Sequence, residues 1–261
     1  MKTINQRSYY KKIKELNISH YTGEVAYYTK APLRMVEKKL LEKINSAAHI
    51  LDLGCGFGRF SIGAAQLGFD IVGVDITPRA IEAAIRRAKK LNLSNAHFIL
   101  GDMTHLPFKD RIFDYVFCPR FSINAIATFS QRKKAVEEML RVVKNGGTVF
   151  IESFNKLYLG RGPIFFLRNI VRDIWRYFFM FYVRLRNTEY TGLLSGDIIY
   201  KSNKVIGASK GYAHIPTIFE LKRLVPKNTK FRFYSIPQIT QNKKLDLFKF
   251  FRYSVWMVIN K

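Results

Sequence analysis

The chain has 261 residues, enough to bury one substantial core with an insertion attached. Its hydrophobic content of 48% is that of a globular protein, and no run approaches the ~20 apolar residues that span a bilayer, which excludes an integral membrane protein. The formal net charge of +25 is extreme for this length, and residues 154–261 carry most of the excess, with 20 Lys/Arg against 5 Asp/Glu.

Residues 1 to about 30 are basic and tyrosine-rich (Tyr9, Tyr10, Tyr21, Tyr27, Tyr28), with helical segments expected but poor periodicity. Met1–Lys14 has no apolar core region, so no signal peptide is expected. Pro32–Ile44 places Leu33, Val36, Leu40 and Ile44 on one face of an amphipathic helix. From His49 onward strand and helix alternate: strand 49–53, helix 59–67, strand 70–75, a helix near 78–91 opened by Thr77-Pro78, strand 96–100, strand 112–118, a helix near 130–144 stopped at Asn145-Gly146, and strand 148–153. That alternation argues for a parallel sheet with helices on both faces.

Residues 155–212 break the pattern. Arg161–Arg186 reads as helical, with Ile164, Leu167, Val171, Ile174, Phe178 and Phe181 near one face and Arg168, Arg172 and Arg176 on another. A cationic stripe beside an apolar one suits a lid packed on the domain, and equally a helix lying on an anionic membrane surface. Such charge also attracts RNA, and a general bias toward Lys, Ile, Asn, Phe and Tyr is the alternative source of it. Glu189–Gly211 is turn-rich, with a short hairpin expected around Ile198–Tyr200. A helix at Pro216–Val225 and strands at Lys230–Ile236 and Ser254–Asn260 close the chain.

The stretch Leu51–Phe60, L-D-L-G-C-G-F-G-R-F, organises the alternating part. Gly54, Gly56 and Gly58 let backbone pass close to a ligand with no side chain in the way. A dinucleotide fingerprint would need glycine at position 59, where this chain has Arg59. Asp52 lies just inside the first strand, and Asp75 ends the second, where an acid can hold both hydroxyls of a ribose. A carboxylate pair around a bare turn suits a ligand with an amino-acid cation and an adenosine, and repels a pyrophosphate. Cys55 and Cys118 have no metal or redox spacing, no metal-binding constellation is evident, and reduced thiols in a cytoplasmic setting are expected.

Asp52-x-Gly54-x-Gly56-x-Gly58, Asp75, Gly101-Asp102-Met103, Leu106-Pro107-Phe108, Phe113-Asp114-Tyr115-Val116 and Asn145-Gly146-Gly147-Thr148 together resemble class I S-adenosylmethionine-dependent methyltransferases. The branch with quinone-ring and small-molecule enzymes is nearest, over roughly residues 45 to 154. The resemblance implies an α/β, Rossmann-like, doubly wound seven-stranded sheet, mostly parallel with an antiparallel last strand, and S-adenosylmethionine as cofactor. Four regions follow: an N-terminal helical cover (1–45), the cofactor-binding core (46–154), an inserted basic and aromatic helical lid (155–212) and the C-terminal part of the core sheet (213–261).

For the cofactor, the resemblance implies Gly54, Cys55, Gly56 and Gly58 along the methionine portion, with Asp52 near its ammonium. It implies Asp75 on the ribose, Ile76 beside the adenine, Asp102 at the adenine amino group and Met103 on the ring; an N-cap is the alternative role for Asp102. Pro119 and Arg120 fall near the methyl donor, and an N-terminal aromatic, taken as Tyr28, folds over the cofactor. Arg120 either binds an anionic substrate group or pairs with a neighbouring carboxylate. His214, in a loop on the substrate side, is the candidate base or substrate contact, ahead of His20 and His105. The acceptor is expected to be a small or lipid-like molecule, with tRNA or another RNA as the alternative. A non-catalytic cofactor-binding module is a third reading, and peripheral contact with an anionic membrane remains a candidate setting.

Overall fold

The computed structural model describes residues 6–23, 31–156, 196–201, 210–242 and 253–261. The helical stretch expected at 161–186 lies outside the described residues, so the lid reading of that segment is not addressed by them.

The N-terminal elements are α1 (Gln6–Gly23) and α2 (Met35–Leu41). The alternating part follows as β1 (His49–Leu53), α3 (Arg59–Ala65), β2 (Asp70–Asp75), α4 (Pro78–Lys90), β3 (Ala96–Leu100), β4 (Phe113–Cys118), a 3-10 turn (Ser122–Ala125), α5 (Phe129–Val142) and β5 (Val143–Phe154). The chain continues with β6 (Asp197–Lys201), β7 (Lys210–His214), α6 (Ile218–Leu224), β8 (Lys230–Tyr234), α7 (Ile236–Thr240) and β9 (Ser254–Asn260).

Seven strands form one sheet in the order β3-β2-β1-β4-β5-β9-β8. All neighbours from β3 to β5 are parallel, and β9 runs antiparallel to both β5 and β8. The inner strands are apolar on both faces (Ile50, Leu51, Leu53, Ile71, Val116, Phe117), as a sheet covered by helices on each side requires. One layer packs Val136, Met139 and Leu221 against the sheet, and the other packs Leu40 and Phe60 against its opposite face, where Trp256 of β9 is buried. The order in which strands are added reverses between the parallel neighbours β1 and β4, so a crevice opens at their carboxyl ends, where open α/β sheets bind ligands.

Three boundaries differ from the sequence reading for local reasons. The helix before β5 ends at Val142, because Val143 already has extended angles, and Asn145-Gly146 forms an irregular stretch inside β5 instead of a helix stop. Gly146 has φ of 80°, the left-handed region, where glycine carries no side-chain penalty. The strand expected to run to Ile236 ends at Tyr234, because Ser235 caps α7 by accepting the Gln238 N–H. The hairpin expected around Ile198–Tyr200 is an antiparallel pair of β6 with β7; these two strands form their own small sheet, so the chain rejoins the main one with β8 and not at residue 213.

Gly147 tests the β5 irregularity. A Cβ there would stand 2.6 Å from the Asp114 carbonyl oxygen and 3.0 Å from that of Lys144, both backbone atoms with little freedom to move. Gly147→Ala is expected to cost about 1–3 kcal/mol, read as a Tm lower by about 2–4 °C per kcal/mol in a thermal melt. An unchanged Tm would show that the two strands part easily at this point.

Candidate active site

A cavity of about 780 Å³ lies over the carboxyl ends of β1, β2 and β4. Its floor is the glycine turn between β1 and α3. Gly54, Gly56 and Gly58 have φ of 71°, 52° and 74°, all left-handed, so the turn needs residues free of Cβ strain. A Cβ on Gly54 would collide with Ser122 at 2.4 Å, whereas the space around Gly56 is open and exposes its backbone to the cavity. Gly58 does not line the cavity, contrary to its expected cofactor contact. It starts α3, and a Cβ there would press on the Phe98 ring and Ala84 at 3.0–3.1 Å, so its smallness serves packing of helix on sheet.

Three acids converge on this floor. Asp52 is fully buried; its Oδ2 accepts a 2.6 Å hydrogen bond from Ser61, and its Oδ1 has no partner. Burial, opposed by the Ser61 bond, raises its pKa to about 7. Half-buried Asp75 accepts the Gly56 and Thr77 N–H groups at 2.9 Å each, which ties the glycine turn to the start of α4. Burial raises its carboxyl above the usual range despite those bonds. Asp102 accepts bonds from Lys14 Nζ (2.7 Å), the Tyr10 hydroxyl (3.1 Å) and both the N–H and hydroxyl of Thr104. Burial alone would raise Asp102, but Lys14 and Thr104 outweigh it and hold its carboxyl below the ordinary value. Tyr10, buried and near the Asp102 charge, is pushed up to about 12.

Cys55, Ile76, Met103, Pro119 and Arg120 also line the cavity, whereas Tyr28 lies outside the described residues. Burial, with Asp75 and Asp52 nearby, raises the Cys55 thiol well above its ordinary value, so it is not a ready nucleophile. Arg120 is exposed, and its backbone N–H donates to Glu152 Oε2 at 2.7 Å, while its guanidinium has no ion pair among the described residues.

His214 does not line the cavity, and the structure corrects its candidacy as base. It is 2% exposed, with Nδ1 2.6 Å from Asp197 Oδ1 and Nε2 2.7 Å from Glu220 Oε1, the latter off the line of a hydrogen bond. Glu220 also pairs with Arg132 at 2.9 Å, and Asp197 accepts the Tyr212 hydroxyl at 2.7 Å. Both ring nitrogens thus face carboxylates that join the small sheet to α5 and α6, a structural duty.

Sequence reasoning missed two groups of residues. Tyr10, Ile13, Lys14, Asn17 and Tyr21 of α1 all line the cavity, and their spacing of three and four was the available signal. The other is a buried ion network beneath the floor. Arg34 clamps Glu152 through two bonds (2.9 and 2.5 Å) and reaches Glu37 at 3.0 Å, and Arg59 clamps Glu37 through two bonds of 2.6 Å. Burial would raise Glu37, but Arg59 and Arg34 hold it below the usual range. Apart from Arg34 and Glu37, three residues apart, the partners are so distant in sequence that they leave no spacing to read.

The arrangement defines a nucleoside-binding α/β domain with an acidic floor and no phosphate cradle. Residues 44–174, half of the chain, match the family model described as a methyltransferase domain, and the chain belongs to that family. It is 30% identical over 167 residues to 2-methyl-6-phytyl-1,4-hydroquinone methyltransferase of Synechocystis sp., covering 60% of this chain and 50% of that protein. It is 36% identical over 106 residues to demethylmenaquinone methyltransferase of Paenarthrobacter aurescens (41% of this chain, 38% of the relative), and 32% identical over 108 residues to norajmaline N-methyltransferase of Rauvolfia serpentina (41% and 36%). The match therefore spans half or less of these curated relatives. Among solved structures, the fold is shared with the CcbJ methyltransferase of Streptomyces caelestis (TM-score 0.65, 12% identity, 94% of this chain and 98% of that one). It is also shared with an S-adenosylmethionine-dependent methyltransferase of Methanosarcina mazei (TM-score 0.59, 20% identity, 88% and 97%). The likeness extends to the mostly parallel seven-stranded sheet with its antiparallel last strand.

The residues present fit S-adenosylmethionine, because the orphaned Oδ1 of Asp52 lacks the cationic partner that an amino-acid ammonium would supply. Only ionised Asp52 attracts a cation strongly, and below pH 7 it is increasingly protonated, so binding must release that proton. Affinity for S-adenosylmethionine is therefore expected to rise about tenfold between pH 5.5 and 7.5 by calorimetry, and Asp52→Asn should lose most of that slope. An equal slope in the variant would contradict this role for Asp52.

Proposed function

We propose that the protein transfers the methyl group of S-adenosylmethionine to a small-molecule or lipid-like acceptor. The observation that carries this reading is the buried, half-satisfied carboxylate of Asp52 at the floor of a cavity that Asp75 and Asp102 also line. Relatives named for a hydroquinone, for demethylmenaquinone and for norajmaline support an acceptor of this size.

Bound there, the cofactor supplies a methyl group already activated on a sulfonium. Asp75 keeps lone pairs beyond the two N–H groups it accepts, and these are available to ribose hydroxyls. Asp52 holds the ammonium, and Gly56 keeps side chains out of the path. In this reading Asp102 is satisfied by Lys14 and Tyr10, so its main work is to fasten α1 over the cavity and exclude water.

Among the described residues no histidine lines the cavity. The remaining acids face the cofactor end, and Tyr10, with its pKa near 12, is a poor proton acceptor at neutral pH. Rate enhancement then rests on alignment of nucleophile and methyl, which can supply much of the acceleration without a base. Such a site suits an acceptor that is nucleophilic as it arrives.

The test supplies methyl-labelled S-adenosylmethionine and a cell extract separated into lipid, small-molecule, RNA and protein fractions. Label is expected in the lipid or small-molecule fraction, and Asp75→Asn should lower incorporation at least about tenfold at sub-saturating cofactor. Label confined to RNA or protein would overturn the acceptor class, and full activity in Asp75→Asn would overturn the site.

A further inference from the structure

The acceptor end of the same cavity carries a second, independent pattern. β4 ends at Cys118, and the chain then makes two successive left-handed residues, Arg120 (φ 55°) and Phe121 (φ 65°), before the 3-10 turn. Non-glycine residues in this region carry strain, and a consecutive pair persists only where its surroundings enforce it. Here the enforcement is visible: Glu152 takes the Arg120 N–H while Arg34 clamps that carboxylate from the other side. The result presents two neighbouring side chains to the cavity. Phe121 stacks on Phe154 at 3.8 Å and 14°, and Tyr253 meets both rings edge-on at 5.9 and 5.3 Å.

Charge on the cavity wall is divided. Of the three cationic residues that line the cavity among the described residues, Lys14 is paired with Asp102 at 2.7 Å and Arg59 with Glu37 at 2.6 Å. The Arg120 guanidinium is exposed and has no ion pair among the described residues. Asp52, Asp75 and Asp102 come from β1, β2 and the turn after β3, whereas Arg120 follows β4 beside the aromatic group and is, among the described residues that line the cavity, the cation without an ion pair.

We propose that the acceptor is a flat aromatic molecule bearing an anionic group, with its ring against Phe121 and Phe154 and its anion on the Arg120 guanidinium. A planar guanidinium holds a carboxylate through two parallel hydrogen bonds, and a stacked aromatic pair offers an outer face to a further ring. This inference rests on the methyltransferase reading of the cavity and adds to it what the acceptor must carry.

The experiment uses the full chain, saturated with S-adenosylhomocysteine, and two probes of like shape at constant ionic strength: 2-naphthoate and neutral 2-naphthalenemethanol. Wild type should bind the naphthoate at least about tenfold more tightly by calorimetry. Arg120→Gln should abolish the preference while leaving the neutral probe and S-adenosylhomocysteine bound as before, Arg120→Lys should restore part of it, and Phe121→Ala should weaken both probes. No naphthoate binding by wild type, or an unchanged preference in Arg120→Gln, overturns the inference. Failure of S-adenosylhomocysteine to bind wild type overturns the underlying cofactor reading instead.

Discussion

Asp52 stands in a fully dry place at the end of β1, with one oxygen held by Ser61 and the other lacking a partner. An unpaired buried carboxylate is costly, and a folded chain tolerates one only when burial shifts it toward its neutral form or something returns the missing charge. Strand β1 cannot move Asp52 into water, because Leu51 and Leu53 pack into one layer and Ile50 into the other. The left-handed glycine turn that follows leaves the space above it clear of side chains. Fold and ligand therefore meet at this one group, and a cation arriving from the cavity relieves a cost that the protein alone carries.

Other ions around the floor are held in pairs. Beneath the floor, Arg34, Glu37, Arg59 and Glu152 neutralise one another pair by pair, and each pair is held at two points. A buried pair of this kind adds little net stability, but removal of one partner is costly, which gives the network the effect of a rigid brace. It joins the start of α2, the start of α3 and the carboxyl end of β5, of which the last two border the cavity. The Glu152 end of the same brace reaches the backbone of Arg120, so the shape of the acceptor end depends on ions that never touch a ligand.

The parallel part of the sheet follows from repetition of apolar runs with helical stretches, a signal carried by many residues at once, whereas the antiparallel closing strand was legible only through the family resemblance. The acids at the floor were legible for a similar reason, since Asp52, Asp75 and Asp102 each end or follow a strand and sit beside glycine or apolar runs. His214 misled because its sequence surroundings, a loop before a helix, say nothing of Asp197 or Glu220, which meet it only after β6 and β7 pair. Tyr10 and Lys14 were hidden by the weak amphipathicity of α1, a helix whose inner face holds polar groups because it covers a polar site. Tyr28 illustrates the opposite risk, since one tyrosine among five was chosen from likeness alone, and its position lies outside the described residues.

The central claim is that an acidic floor with an orphaned carboxylate admits a cationic sulfonium nucleoside and rejects a pyrophosphate-bearing one. Calorimetric titration of the purified chain at pH 7.5 with S-adenosylmethionine and, separately, with NAD tests it most directly. The account predicts saturable one-to-one binding of the former and none of the latter. Binding of NAD, or no heat change with S-adenosylmethionine, would contradict it.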